Sequence, residues 1–208
     1  MPHTRSFSYR SIVAAGLLSL LGTLLAASPA YAAPEPPTKG KITIDFTATV
    51  TDVSDRRNQV PGVHVGDVIT GKYSYNLATP DSNELAEVGD YSYTETGKNK
   101  LGFGISVNLG QFTAQTDPNN PNFLVEIIDN YQDRDNYLLR SYNNTSTGPA
   151  VDHISWQLDD PTQTALTSPA LPTKPPALSA WQQDFGFDVR GGDRGFFIRA
   201  HVTNVRNA

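Results

Sequence analysis

The sequence predicts an all-β domain of antiparallel strands, arranged as a β-sandwich or a jelly-roll-like fold. Apolar and polar residues alternate from Ile42 to Thr51, which is the period of a strand with one buried face. About nine or ten short strands of this kind are predicted in all, separated by turns rich in Gly, Pro, Asn and Asp. No segment longer than a turn has helical periodicity, and no internal repeat indicates a propeller or a solenoid.

The strands are predicted in chain order from this alternation and from the turn residues between them. The first is 41–51, and the others are 68–77, 91–94, 101–107, 111–115, 123–128, 137–142, 151–158, 185–189 and 196–205. The polar stretch 129–136 is predicted to link two strands of a hairpin. Residues 159–178, rich in Pro, Thr and Ser, are predicted to form an ordered crossing loop, because proline lacks the N–H that a central strand needs.

The first 32 residues have the pattern of a cleavable secretory signal peptide. Arg5 and Arg10 precede an apolar run at 12–27, which leads to the small-residue cleavage pattern Ala30-Tyr31-Ala32. The run is shorter than the roughly 20 residues that cross a bilayer, so a signal peptide is favoured over a membrane anchor. We therefore expect cleavage after Ala32 and a secreted or periplasmic product. Residues 33–40 are predicted to be a flexible Pro-rich leader, and 41–208 a single β-sandwich domain.

The composition excludes several classes of function. The chain has no cysteine, which rules out thiol nucleophiles, thiolate metal sites and disulfides. Its net charge is −5, and removal of the two signal-peptide arginines makes the mature chain more acidic, so no nucleic-acid partner is expected. No second hydrophobic span follows the signal peptide, so the mature form is expected to lack a membrane span. The sequence does not indicate an oligomeric state.

Candidate catalytic residues are few and scattered. His153 and His201 lie on the polar faces of predicted strands, where both could face one surface, and Glu126 has the same position on its own strand. There is no Gly-x-Ser-x-Gly motif and no Glu-x-Asp-x-x-Glu pair of the kind that jelly-roll glucanases use. Solvent-exposed strand residues are the alternative interpretation, and a non-enzymatic protein is favoured over an enzyme.

Three aspartates are the candidate ligands for a metal ion. Asp129, Asp133 and Asp135 lie within 129–136, and calcium prefers several carboxylate and carbonyl oxygens from one loop. The segment lacks the glycine and the terminal glutamate of an EF-hand loop, and Arg134 opposes a cation. A solvated turn is therefore the alternative, and no other cofactor is expected.

The aromatic residues could form either a core or a platform for stacking sugar rings. Most of the strand aromatics share faces with apolar residues, which favours core packing; they are Tyr73, Tyr75, Tyr91, Tyr93 and Trp156. Trp181, beside the Pro-rich loop, is the candidate for an exposed ring that binds a ligand.

Two stretches resemble a pattern found in exported bacterial β-sandwich proteins of the PEP-CTERM-associated type. One is 65–75 (VGDVITGKYSY), and the other is 158–161 (LDDP) followed by 164–172 (TALTSPALP). The resemblance implies an extracellular β-sandwich linked with exopolysaccharide or the cell envelope, and it supplies no catalytic residues. The sorting tail of that family does not follow Val205, so anchoring by that route is not expected.

These observations together predict a secreted or periplasmic, non-enzymatic binding domain. The expected partner is a glycan or another component of the envelope or extracellular matrix. A polysaccharide-acting hydrolase or lyase is one alternative, and a structural matrix protein is another. A deep cleft that collects polar residues would favour the enzyme, and a shallow exposed aromatic face would favour binding.

Overall fold

Eleven strands form one antiparallel sheet in a computed structural model that describes residues 40–94 and 102–208. The strands are β1 (Lys41–Asp55), β2 (Val68–Asn76), β3 (Val88–Tyr93), β4 (Gly104–Asn108), β5 (Thr113–Thr116), β6 (Phe123–Tyr131), β7 (Arg134–Ser141), β8 (Asn144–Ser146), β9 (Val151–Asp160), β10 (Gln183–Gly191) and β11 (Phe196–Asn207). Their order in the sheet is β3-β6-β7-β9-β10-β11-β1-β2-β4-β5-β8. Across these residues no helix is long and apolar enough to cross a bilayer.

The predicted signal peptide, most of the predicted leader and the predicted start of the fourth strand at 101 lie outside the described residues. Within them, the all-β class and the antiparallel pairing predicted from the sequence are confirmed. The sandwich or jelly-roll arrangement is not confirmed, because the strands pair in a single continuous sheet.

The sheet curls so that strands distant in the sheet face each other across one core. Tyr73 on β2 and Tyr137 on β7 lie five positions apart in the strand order, yet their hydroxyl groups are 3.0 Å apart. The hydroxyls of Thr116 on β5 and Ser141 on β7 are similarly joined at 2.9 Å. One face of the sheet is therefore turned inward and encloses the apolar side chains, and the opposite face is turned outward.

The inward face carries the aromatic residues that the sequence assigned to the core. Trp156, Tyr73, Tyr75 and Tyr137 are the four largest fully buried side chains. A buried hydroxyl needs a hydrogen-bond partner, and Tyr73 and Tyr137 partner each other. Burial raises the pKa of both hydroxyls well above 10, so both are neutral.

The hairpin of β6 and β7 is tighter than predicted. The strands run into the polar stretch as far as Tyr131 and Arg134, which pair with each other, so only Gln132 and Asp133 form the turn. Both have positive φ, 52° and 59°, as a two-residue hairpin turn of type I′ requires. The strand β8 was not predicted from the sequence; its three residues are all polar and pair with β5.

The loop 161–178 closes one end of the core as well as connecting β9 to β10. Leu171 is buried, and Leu166 and Leu178 pack against the core. The hydroxyls of two core tyrosines donate to backbone carbonyls of the loop: Tyr75 to Pro172 at 2.7 Å and Tyr91 to Pro169 at 3.0 Å. Hydrogen bonds from side chains of the sheet thus fix the backbone of the loop.

Two buried aspartates at the same end fix the start of this loop. Asp160 accepts hydrogen bonds from the hydroxyl and N–H groups of Thr162 and Thr164 and from the N–H of Ala165. Asp135 accepts one from the N–H of Leu166 at 2.8 Å. The Thr162 hydroxyl, with the further donors, lowers the pKa of Asp160 to about 2 because all of them stabilise the charged carboxylate.

Replacing Tyr75 with Phe is expected to lower the free energy of unfolding by about 1 kcal/mol, since the Pro172 carbonyl loses its donor while the ring remains. Urea denaturation measures this change. The matched control is Tyr142→Phe, because Tyr142 is 46% exposed and its hydroxyl is not part of the loop attachment. Equal losses in both variants would contradict a fastening role for Tyr75.

Replacing Asp160 with Asn is expected to flatten the acid dependence of stability. Because the folded pKa is about 2 and the unfolded value is 3.8, the contribution of Asp160 is complete above pH 3.8 and is lost as the pH falls through about 2. Unfolding free energies measured between pH 5 and pH 2 should therefore fall less steeply in this variant. Asp152→Asn, an exposed change on the same strand, should keep the steeper dependence.

Candidate functional site

A β-bulge in β10 directs an acidic side chain toward the neighbouring strand. The register of β10 against β9 shifts between Asp184 and Gly186, so Phe185 is the extra residue. Gly186 has φ +96°, a backbone conformation that L side chains rarely adopt, and its N–H donates to Asp184 Oδ1 at 2.8 Å. The bulge therefore fixes one oxygen of the Asp184 carboxylate.

The second oxygen of Asp184 lies close to a histidine on β11. Asp184 Oδ2 lies 2.6 Å from Nδ1 of His201, and the Asp184 side chain is only 15% exposed. A proton on Nδ1 would face this carboxylate, and in that tautomer of the neutral imidazole Nε2 is an acceptor for a ligand. The His201 side chain is 59% exposed, so this nitrogen belongs to an accessible surface.

His201 and Trp181, predicted separately from the sequence, line the same recess. We call this recess, of about 630 Å³, the Trp181 pocket; its lining residues are Leu158, Leu178, Ser179, Trp181, Gln182, Asp184, His201, Val202 and Thr203. Trp181 is half-buried, with its ring against Tyr137 at 6.3 Å between centroids and an angle of 63°. The structure therefore brings one aromatic ring and an oriented histidine–aspartate pair to one opening.

His153 lies on the same outward face but in a different environment. Its ring stacks on Tyr142, with the centroids 5.1 Å apart and the planes 10° from parallel. Burial, and then the charges of Arg190 and Arg140, lower its pKa to about 4, so the imidazole is neutral at neutral pH. Its Nε2 is buried and has no hydrogen-bond partner among the described residues.

A cluster of three charged residues separates His153 from His201. His153 on β9 is opposite Arg190 on β10. Asp188, also on β10, is opposite Arg199 on β11. Asp188 therefore lies between the two histidines. Asp188 binds the guanidinium groups of both Arg190, at 2.8 Å, and Arg199, at 2.9 Å. This ion-pair cluster was not predicted from the sequence, because its three members lie on two neighbouring strands.

Glu126 joins neither histidine. It lies on β6, four strands from His201 and two strands from His153 in the order of the sheet. Burial, and then the nearby Asp90 carboxylate, raise the pKa of Glu126. The three catalytic candidates from the sequence therefore do not form one constellation.

The three aspartates proposed for calcium each have a local structural position. Asp135 is fully buried and accepts from the N–H groups of Asn130 and Leu166. Asp129 accepts from the Asn130 side chain, and Asp133 occupies the hairpin turn. Among residues 40–94 and 102–208, no group of three or more His, Asp or Glu side chains could hold a metal ion. Calcium binding at this turn stays a prediction.

Comparison with protein-family models, with curated proteins and with solved structures gives no match for this chain.

Asp184 was not among the residues predicted from the sequence, although the sequence contains a signal for it. A glycine inside a strand pattern indicates a bulge or a close approach of backbone, and Gly186 has that position in Asp184-Phe185-Gly186-Phe187. The partner of Asp184 could not be inferred, because the pairing of β10 with β11 across the 3-10 turn Gly192–Arg194 sets which side chains meet.

An NMR titration is expected to give His153 a midpoint near pH 4. Because the unfolded ring takes up a proton near pH 6.5 and the folded ring does not, stability falls as the pH drops from 6.5 toward 4. His153→Gln should remove that part of the dependence, as measured by urea denaturation between pH 7 and pH 4. A midpoint near 6.5 would contradict the buried, arginine-flanked environment.

Proposed function

We propose that this chain is an exported, non-enzymatic binding domain that takes a sugar ring of an envelope or extracellular glycan in the Trp181 pocket. The observation that carries the proposal is the position of the Trp181 ring beside the oriented His201–Asp184 pair in one open recess. Export is inferred from the N-terminal pattern of charged, apolar and small residues.

The chemistry of the recess fits a saccharide because it combines an apolar ring with polar groups of both kinds. A pyranose has an apolar C–H face that can lie on an indole, and hydroxyls that both donate and accept. His201 Nε2 accepts in the neutral tautomer with its proton on Nδ1, and the side chains of Gln182, Ser179 and Thr203 donate and accept. The volume of about 630 Å³ lies within the range of small-ligand pockets.

The Asp184 carboxylate supports affinity through preorganisation. Both of its oxygens are occupied, by the Gly186 N–H and by His201, so the imidazole is held before a ligand arrives. A held side chain loses little rotamer entropy on binding, which leaves more of the contact energy for affinity.

The test is a glycan array on the full chain, followed by calorimetry with the best ligand. Trp181→Ala is expected to weaken binding at least tenfold, about 1.4 kcal/mol, because the stacking surface is removed. Tyr142→Ala is the matched control: Tyr142 is another aromatic residue, is 46% exposed and does not line the pocket.

Because Trp181 also contacts the core, thermal unfolding must accompany the binding measurement. His201→Gln provides a second variant that removes the imidazole from an exposed position. Unchanged affinity in both Trp181→Ala and His201→Gln would overturn the assignment of the ligand to this pocket.

A polysaccharide hydrolase is the second function that the same observation favours. A histidine whose Nδ1 is held by a carboxylate can act through Nε2 as a general base toward water. Release of reducing sugars from polysaccharide by the full chain, abolished by His201→Gln, would replace the binding proposal by this one. A chain that neither binds nor cleaves any glycan would overturn both.

A further inference from the structure

A second recess crosses the outward face of the opposite half of the sheet. It consists of two adjoining hollows of about 500 and 310 Å³, which share Lys72, Ser106 and Gln115. We call the combined recess the sheet groove; it runs over β11, β1, β2, β4 and β5. None of its lining residues lines the Trp181 pocket.

The strand register arranges the outward side chains of the sheet groove in rows across the strands. One row reads across five strands as Arg206, Asp45, Lys72, Ser106 and Gln115. The neighbouring row is Asn204, Thr47, Thr70, Asn108 and Thr113. Four inter-strand spacings of about 4.8 Å make each row roughly 19 Å long, which suits an extended polymer better than a compact small molecule.

The second row consists entirely of hydroxyl and amide side chains. Such groups both donate and accept hydrogen bonds, as the hydroxyls of a polysaccharide also do. Protein–protein interfaces are centred on aromatic and other apolar anchors, and these outward rows contain none. The side chains of the two rows therefore favour a polyhydroxylated ligand over a protein partner.

The charges of the sheet groove favour an anion. Arg206 and Asp45 form an ion pair at 3.6 Å and compensate each other. Lys72, exposed in the middle of the first row, makes no ion pair within the described residues. The two rows therefore carry two cations, Arg206 and Lys72, against one carboxylate, Asp45, on a chain whose net charge is −5.

We infer that the sheet groove binds an acidic polysaccharide built from uronic-acid units. A carboxylate of the polymer pairs with Lys72, and its hydroxyls bond to the threonine, asparagine and glutamine side chains of the two rows. Because the chain as a whole repels a polyanion, binding depends on these local contacts rather than on a general field. The inference concerns a site separate from the Trp181 pocket and does not rest on it.

The test measures binding of polygalacturonate oligomers to the full chain by calorimetry, with neutral dextran oligomers as the comparison. The expected result is binding of polygalacturonate that weakens as salt is raised, and no comparable binding of dextran. Lys72→Gln and Gln115→Ala are each expected to weaken binding, Lys72→Gln by at least tenfold. Both positions are exposed, so thermal unfolding should be unchanged.

The matched control is Lys174→Gln, which removes the same charge from an exposed position in the loop outside the groove. It should bind polygalacturonate as well as the unmodified chain does, and so should Trp181→Ala. Equal weakening by Lys72→Gln and Lys174→Gln, equal affinity for dextran, or no binding of polygalacturonate at low salt would overturn the inference. Loss of polygalacturonate binding in Trp181→Ala alone would instead assign the acidic polymer to the Trp181 pocket.

Discussion

The hydroxyl groups of Tyr73 and Tyr137 meet across the core from strands that are five positions apart in the sheet. That contact is compatible only with a sheet that curls, because strands five positions apart in a flat sheet are separated by roughly 24 Å. The indole of Trp156 packs against both tyrosine rings, at 6.3 and 5.9 Å between centroids. These three side chains hold the two halves of the sheet together in a protein that has no disulfide.

The curl also determines which surfaces are available to ligands. Once every alternate residue of the strands faces the core, the remaining residues are committed to the outward face, and the strand register places them in rows. One such row supplies Asp45, Lys72 and Gln115 to the sheet groove. The bulge at Gly186 interrupts the alternation locally and turns Asp184 toward His201. Regular strands therefore build the groove, whereas an irregularity builds the Trp181 pocket.

The loop 161–178 links these features because a curled sheet has open ends. Its leucines cover the aromatic core at one end, and Asp160, Asp135 and two tyrosine hydroxyls fix its backbone. The chain then passes through the 3-10 turn Leu178–Ala180, and Trp181 follows at the edge of the core, where its ring packs against the ring of Tyr137. The position of Trp181, the candidate ring for binding a ligand, thus depends on a loop that also completes the core.

The alternation of apolar residues by itself determined the class of the fold, the approximate positions of most strands and the inward direction of Trp156, Tyr73 and Tyr75. Those features depend on a period of two, which is local in the chain. The turn at Gln132–Asp133 and the short strand β8 escaped prediction because neither has the usual turn glycine or an apolar face. The sequence likewise proposed Trp181 and His201 singly.

Only the tertiary structure decided that a single curled sheet replaces two separate ones, that Trp181 and His201 share a recess with Asp184, and that Glu126 is remote from them. The physical reason is that strand order and register depend on contacts between residues far apart in sequence, and no local pattern of side chains specifies which strands become neighbours.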